Sequence, residues 1–349
     1  MITHKSLRND VPFMSFHGDP AGTASSSKEF GYITILDELS IKLEMPVGII
    51  KGEKPGPTLL ITGGLLGTEY CGIEAASRIY STLSPQRLQG TVVVIPVVNM
   101  ACFSFRVPWF TLQNSLTPFD GMHLNRCFPG NKNGKPSERL AYRLFHDYVL
   151  KSDFHVDFRG GDLHESHIEH TITSVTGENI DEKCIELAKA WGLRYVLPRP
   201  CTNSSGTLIY ETVKKGVPSI ISESGIGYRT QPMEKYIQYH VDGANNLLKY
   251  LGMLSGEPLK PEYQRFFYDS AKVKTPASGV FHAYVDQGEL VTENQIIGKI
   301  TGLDNGVKAE IISPIDGIVH EMMPRRLVYI GDTVYSLCEI GEPTGWVNP

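Results

Sequence analysis

The chain has 349 residues, with 33 Lys+Arg against 38 Asp+Glu and a formal net charge of −5. That balance disfavours a strongly basic nucleic-acid surface. Hydrophobic residues make up 41% and charged residues 20%, which is ordinary globular usage and lies outside the regime of disordered chains.

At about 150 residues per domain, the length predicts two domains or three. The six cysteines, at 71, 102, 127, 184, 201 and 338, form no CxxC. They are expected as reduced, mostly buried thiols rather than a disulfide framework or a zinc knuckle. The opening MITHKSLRND lacks an apolar signal core, and no apolar stretch is long enough to cross a bilayer. A soluble, cytoplasmic protein without nucleic-acid or membrane partners is expected, and a homo-oligomer stays open.

Residues 1–30, rich in Gly, Ser and Pro, are expected as an N-terminal arm. Tyr32–Leu36 and Ile41–Val47 alternate as strands do, and Thr58–Thr62 is an apolar run between Pro-Gly-Pro and Gly-Gly that reads as a buried strand. Cys71–Leu83 has helical spacing, and Thr91–Val98 is a β-branched strand. A long loop from Asn99 to about Pro136 follows, and loops of that length are usually functional or disordered. The spacing then predicts a helix over Ser137–Leu150 with Ser137 as N-cap, a strand at Phe154–Phe158, a helix at Asp181–Trp191 and a short strand at Tyr195–Leu197. A helix at Leu208–Lys215, a strand at Ser219–Ser222 and a long amphipathic helix at Pro232–Leu251 complete this part. Strands alternating with helices predict an α/β fold over residues 31–260, with a mixed, mostly parallel sheet whose carboxyl ends carry the site.

From about Pro261 short, glycine-punctuated strands take over. Ser278–His282 is echoed by Asp316–His320, and each copy is followed by a turn carrying Gly and an acid, at 287–289 and 331–332. Residues 261–349 are therefore expected to form a small C-terminal β-barrel or sandwich. Its hairpin turn, Ser313–Gly317, has no lysine for a lipoyl-type carrier, so a structural or gating cap is expected.

Four clusters can carry chemistry. Gly63–Glu69 sits at a strand-to-helix turn, where an acid such as Glu69 is also favoured by the helix dipole. Leu124–Gly130 contains Asn125 and Arg126; a guanidinium beside an amide suits a carboxylate or oxyanion, and equally a loop-fixing bond to backbone carbonyls. Val156–Glu165 contains Arg159, and Ser222–Gly225 places Glu223 at a strand end as a general base.

Taken together, their order and spacing resemble the succinylglutamate desuccinylase/aspartoacylase family of zinc-carboxypeptidase-like deacylases. The Pro96–Phe103 segment, Arg106, Asp120, the Leu124–Gly130 run (LNRCFPG) and Ser137–Ala141 carry the resemblance. It implies hydrolysis of an amide joining an acyl group to an amino acid, so the substrate would be an N-acyl amino acid or a related small carboxylate. It implies Arg106 as the oxyanion-stabilising arginine, Asn125 and Arg126 as a clamp on the substrate carboxylate, Glu223 as general base and Glu69 as a zinc carboxylate.

The same resemblance puts Leu66 and Arg159 at the positions of the family's two histidine ligands. Leu66 has no donor atom, and Arg159 would repel a dication. No cofactor is therefore expected, although the family is one of zinc enzymes. The chemistry would be metal-independent or altered, with Arg159 joining Arg106 and Glu223 as a catalytic group and pairing with Glu69 in the metal's place. A metal relocated to His164, Glu165 and His167 is the competing idea, against solvated or hydrogen-bonded histidines. The alternative to an enzyme is a non-catalytic protein that binds small carboxylates on the same scaffold.

Overall fold

A computed structural model describes residues 26–38, 41–104, 116–162, 165–201, 204–227, 231–267, 270–323 and 326–339. The N-terminal arm otherwise lies outside these residues, as does Arg106. The chain enters as an antiparallel pair, β1 (Ser27–Glu38) and β2 (Ile41–Lys51). The run 58–62 becomes the buried half of β3 (Lys54–Gly63), followed by α1 (Tyr70–Thr82), β4 (Gln89–Ile95), α2 (Met100–Ser104) and α3 (Pro136–Asp147). Next come β5 (Phe154–Arg159), β6 (Ser166–Val175), α4 (Ile180–Trp191), β7 (Tyr195–Pro200), α5 (Leu208–Lys214), β8 (Ser219–Ile226) and α6 (Glu234–Tyr250).

The sheet runs β1-β2-β4-β3-β5-β8-β6, with β4, β3, β5 and β8 parallel and β6 antiparallel to β8. β3 and β4 are apolar on both faces because both faces are covered. Leu59, Ile61, Val92 and Val94 pack with residues of α1, α4 and α6, including Trp191. Leu60, Val93 and Ile95, one step along each strand, pack with α3, Leu65 and Phe128 on the opposite side.

The helix expected to be capped by Ser137 starts one residue earlier, at Pro136. Asp120, from the preceding loop, accepts the Ser137 N–H at 2.8 Å and its hydroxyl at 2.9 Å, while Glu138 accepts the Lys135 N–H at 2.8 Å. Two further differences matter for the site. β8 runs through Glu223 to Ile226, so the glutamate lies within the strand rather than after it. β6 was not anticipated; its residues 166–170 (SHIEH) have no apolar alternation to mark them as a strand.

The turn after β5 is built for close backbone approach. A Cβ on Gly160 would lie 2.0 Å from the Ser224 carbonyl oxygen, and one on Gly225 would lie 2.2 Å from the Gly160 oxygen. Gly160→Ala is therefore expected to destabilise by about 1–3 kcal/mol, because backbone cannot yield as a side chain can. A urea melt unchanged from wild type would contradict that packing.

Beyond α6 the regular elements of the described residues are strands: β9 (Arg265–Phe266), β10 (Ala271–Lys274), β11 (Gly279–Ala283), β12 (Leu290–Val291), β13 (Ile296–Thr301), β14 (Val307–Ile312), β15 (Gly317–Met322), β16 (Leu327–Val328) and β17 (Thr333–Glu339). β14-β13-β11-β16 form a separate antiparallel sheet, enclosing a core with Phe281, Ile297, Ile300 and Tyr335. β15, β17 and β10 instead continue the central sheet through a β6–β15 pairing. The internal echo is real in conformation. Gly288 and Gly331 share φ of 90° and 88°. Asp286 N–H donates to Glu289 Oε1 at 3.0 Å, as Tyr329 N–H does to Asp332 Oδ2 at 2.9 Å. Among the described residues, no helix is long and apolar enough to cross a membrane.

Candidate functional site

A cavity of about 890 Å³ lies where the carboxyl ends of β5 and β8 meet β6 and the tail strands. Leu66, Glu69, Asn125, Arg126, Arg159 and Glu223 all line it. The sheet register accounts for much of this convergence. Arg159 is opposite Glu223, Glu223 is opposite His170, and His167 is opposite Glu321 of β15. Side chains at such positions stand within about 5 Å of each other across neighbouring strands.

Arg159 is buried, and its Nε donates to Asp157 Oδ2 at 2.6 Å. Asp157 is 1% exposed and takes the Thr62 hydroxyl on its other oxygen at 2.6 Å. Thr62 leads on to His155 Nε2 at 3.0 Å, and His155 Nδ1 meets the Ser219 hydroxyl at 2.8 Å. Burial holds His155 down at about 4, so that histidine is a neutral link in the chain.

The expected contact between Glu69 and Arg159 is not made. Asp157 sits two residues before Arg159, on the same face of β5, and takes the guanidinium first. Glu69 is 2% exposed, and its Oε2 has no hydrogen-bond partner; Arg159 Nη2 has none either. Burial pushes the Glu69 carboxyl well above its usual range, and the Arg159 charge opposes that through space. Glu69 stands at the N-cap of α1, where the helix dipole favours an acid, and makes no side-chain capping bond.

Glu223 is 8% exposed, and its Oε2 is buried without a partner. Burial raises its pKa, while His167 and Arg159 pull it back. Asn125 is buried, and its Oδ1 accepts the Leu208 N–H at 2.9 Å, which anchors the start of α5. Arg126 Nη1 donates to the Asn125 carbonyl at 2.7 Å, the loop-fixing role weighed above, yet its side chain still lines the cavity. His123 accepts the Asn125 N–H on Nδ1 at 3.2 Å and is held near 4 by burial and by Arg126 and Arg159.

Several cavity groups had no signal of their own in the sequence. Arg199, Lys272, His170, His320 and Glu321 all line it. The last two come from β15, more than a hundred residues beyond His167 in the chain. Leu163 and His164 lie outside the described residues. His167 is buried rather than solvated.

Leu66, Glu69 and Arg159, the trio that the resemblance puts at the zinc-ligand positions, do not fit a dication. They offer one carboxylate, an alkyl group, and a guanidinium already paired with Asp157. Among the described residues, one group of three or more His, Cys, Asp or Glu brings its ligand atoms together: Glu165, His167 and Glu321.

Comparison with known proteins follows the same lines. The sequence model of the succinylglutamate desuccinylase/aspartoacylase catalytic domain matches residues 55–251. A curated relative, N-alpha-acetyl-L-2,4-diaminobutyric acid deacetylase from Halomonas elongata, is 28% identical over 309 residues, covering 86% of this chain and 87% of the relative. The ectoine utilization protein EutE (DoeB) from Ruegeria pomeroyi, solved with bound product, superposes with a TM-score of 0.81 at 21% identity, covering 91% of this chain and 97% of that one. A succinylglutamate desuccinylase/aspartoacylase from Rhodobacter sphaeroides gives 0.79 at 24% identity, covering 93% and 99%.

Proposed function

Because the chain belongs to the succinylglutamate desuccinylase/aspartoacylase family, we propose that it is a deacylase-type hydrolase, cleaving the amide between an acyl group and a small amino acid through chemistry altered from the family's zinc mechanism. The observation that carries this reading is a buried glutamate, Glu223, with an unpartnered oxygen in a cavity it shares with the unpartnered Nη2 of Arg159.

In this reading Glu223 takes a proton from water and returns it to the leaving amine. Arg159, held rigid by Asp157, is positioned to stabilise the negative charge on the carbonyl oxygen. Arg106 would assist, as the family resemblance implies. Asn125, Arg126, Arg199 and Lys272 supply donors and positive charge for a carboxylate substrate. The deacetylase relative, which by name acts on an N-acetylated diamino acid, supports a small N-acyl amino acid as substrate.

A second reading, a protein that binds small carboxylates without turnover, is favoured by Leu66 and Arg159 at the zinc-ligand positions. A panel of N-acetyl and N-succinyl amino acids, assayed for released amine, separates the two. Hydrolysis of at least one member is expected. If none is hydrolysed while one carboxylate raises the Tm, the binding reading replaces this one.

A further inference from the structure

We propose that Glu165, His167 and Glu321 form a binding site for a divalent transition-metal ion of zinc's class, displaced across the cavity from Leu66, Glu69 and Arg159. The site goes beyond the hydrolase reading, which gives Glu165, His167 and Glu321 no role. It is a product of topology. Glu165 immediately precedes β6, His167 is on β6, and Glu321 is the residue of β15 that pairs opposite His167. One ligand atom from each lies within 4.8 Å of the others, and His167 Nε2 is 3.5 Å from Glu165 Oε2. One imidazole and two carboxylates facing a cavity make a donor set suited to zinc, with room for a further ligand from solvent.

A structural ion pair between His167 and its two carboxylates would explain part of this, but not the rings around it. His170 and His320 are buried, and their ring centroids lie 5.7 and 6.5 Å from that of His167 and 5.6 Å from each other. His170 Nδ1 is 2.8 Å from the Ile168 carbonyl, and His320 Nδ1 is 3.3 Å from that of Ser336. A carbonyl only accepts, so each Nδ1 carries the proton and each Nε2 presents a lone pair.

Both Nε2 atoms, and His167 Nδ1, are buried without a partner. Buried polar atoms are rarely left so. The His170 and His320 rings line the same cavity as the Glu165, His167 and Glu321 group, and their buried nitrogens lack partners beside it. Glu321 is oriented for the role by the Ser336 hydroxyl, 2.8 Å from its Oε2, the kind of outer support that metal ligands usually have.

The test uses the full-length protein, stripped with a chelator and titrated with Zn²⁺ against a chromophoric competitor. One equivalent per chain is expected. Loss of an outer support alone costs about 10–100-fold in metal affinity, so His167→Asn and Glu321→Gln, with folding checked by circular dichroism, should each weaken binding by more than about 100-fold. Glu69→Gln should leave it unchanged. X-ray absorption of the zinc-loaded wild type, which needs no variant, should show coordinated imidazole. The proposal is overturned if the wild type binds no zinc, if binding survives both substitutions, if it falls with Glu69→Gln instead, or if the metal's coordination shell contains no imidazole.

Discussion

Arg159→Met is expected to destabilise the protein by about 3–5 kcal/mol, the usual consequence of removing one partner of a buried ion pair, and to lower the Tm on the order of 10 °C. The cost comes from Asp157. That carboxylate is 1% exposed and would keep, among the described residues, the Thr62 hydroxyl as its side-chain donor. Methionine fills similar space, so packing contributes little to the loss.

The corresponding double variant, Asp157→Asn with Arg159→Met, should recover much of the stability, since Asp157 is then no longer a stranded charge. Chemical denaturation of the four proteins measures the coupling directly. A single-variant loss below about 1 kcal/mol would mean that the pair is not what holds the end of β5.

Glu223→Gln, tested on whichever acylated substrate proves active, is expected to lower kcat by about 10²–10⁴-fold with little change in KM, the range typical of losing a positioned general base. The amide keeps the shape of the carboxylate and removes a buried charge, so folding should survive. The pH dependence has a definite sign. A base works deprotonated, so kcat/KM should climb as pH rises through the Glu223 pKa. Burial holds that pKa above the ordinary carboxylate range despite His167 and Arg159. The acid limb of the profile should therefore sit above the value of about 4.3 for a free glutamate. Activity within tenfold of wild type in the Gln variant would remove Glu223 from the role.

What was legible in the sequence follows from what is local. The apolar runs at 58–62 and 91–95 had to be two-sided strands, and Glu223 and Arg159 had to come near each other once β5 and β8 were parallel neighbours. The Leu124–Gly130 run does bring Asn125 and Arg126 to the cavity wall, yet its arginine spends one donor on its own loop, a choice that composition cannot reveal. The pairing of Arg159 with Glu69 was drawn from a charge balance across the fold, and a nearer acid on the same strand face won. That preference was available in principle, since residues two apart on a strand share a face. β6 escaped because its histidines, serine and glutamate hide the strand period, and Glu321 escaped because nothing local ties residue 321 to residue 167. Only the sheet joins them.

That junction has a consequence for how the pocket admits its occupant. β15 is hydrogen-bonded to β6 on one edge and to β17 on the other, so the tail is laced into the same ladder that carries Glu223. A cap hinged like a door would have to tear backbone hydrogen bonds at every opening, each costly to leave unmade. The far wall of the pocket is thus stitched to the sheet that forms its floor.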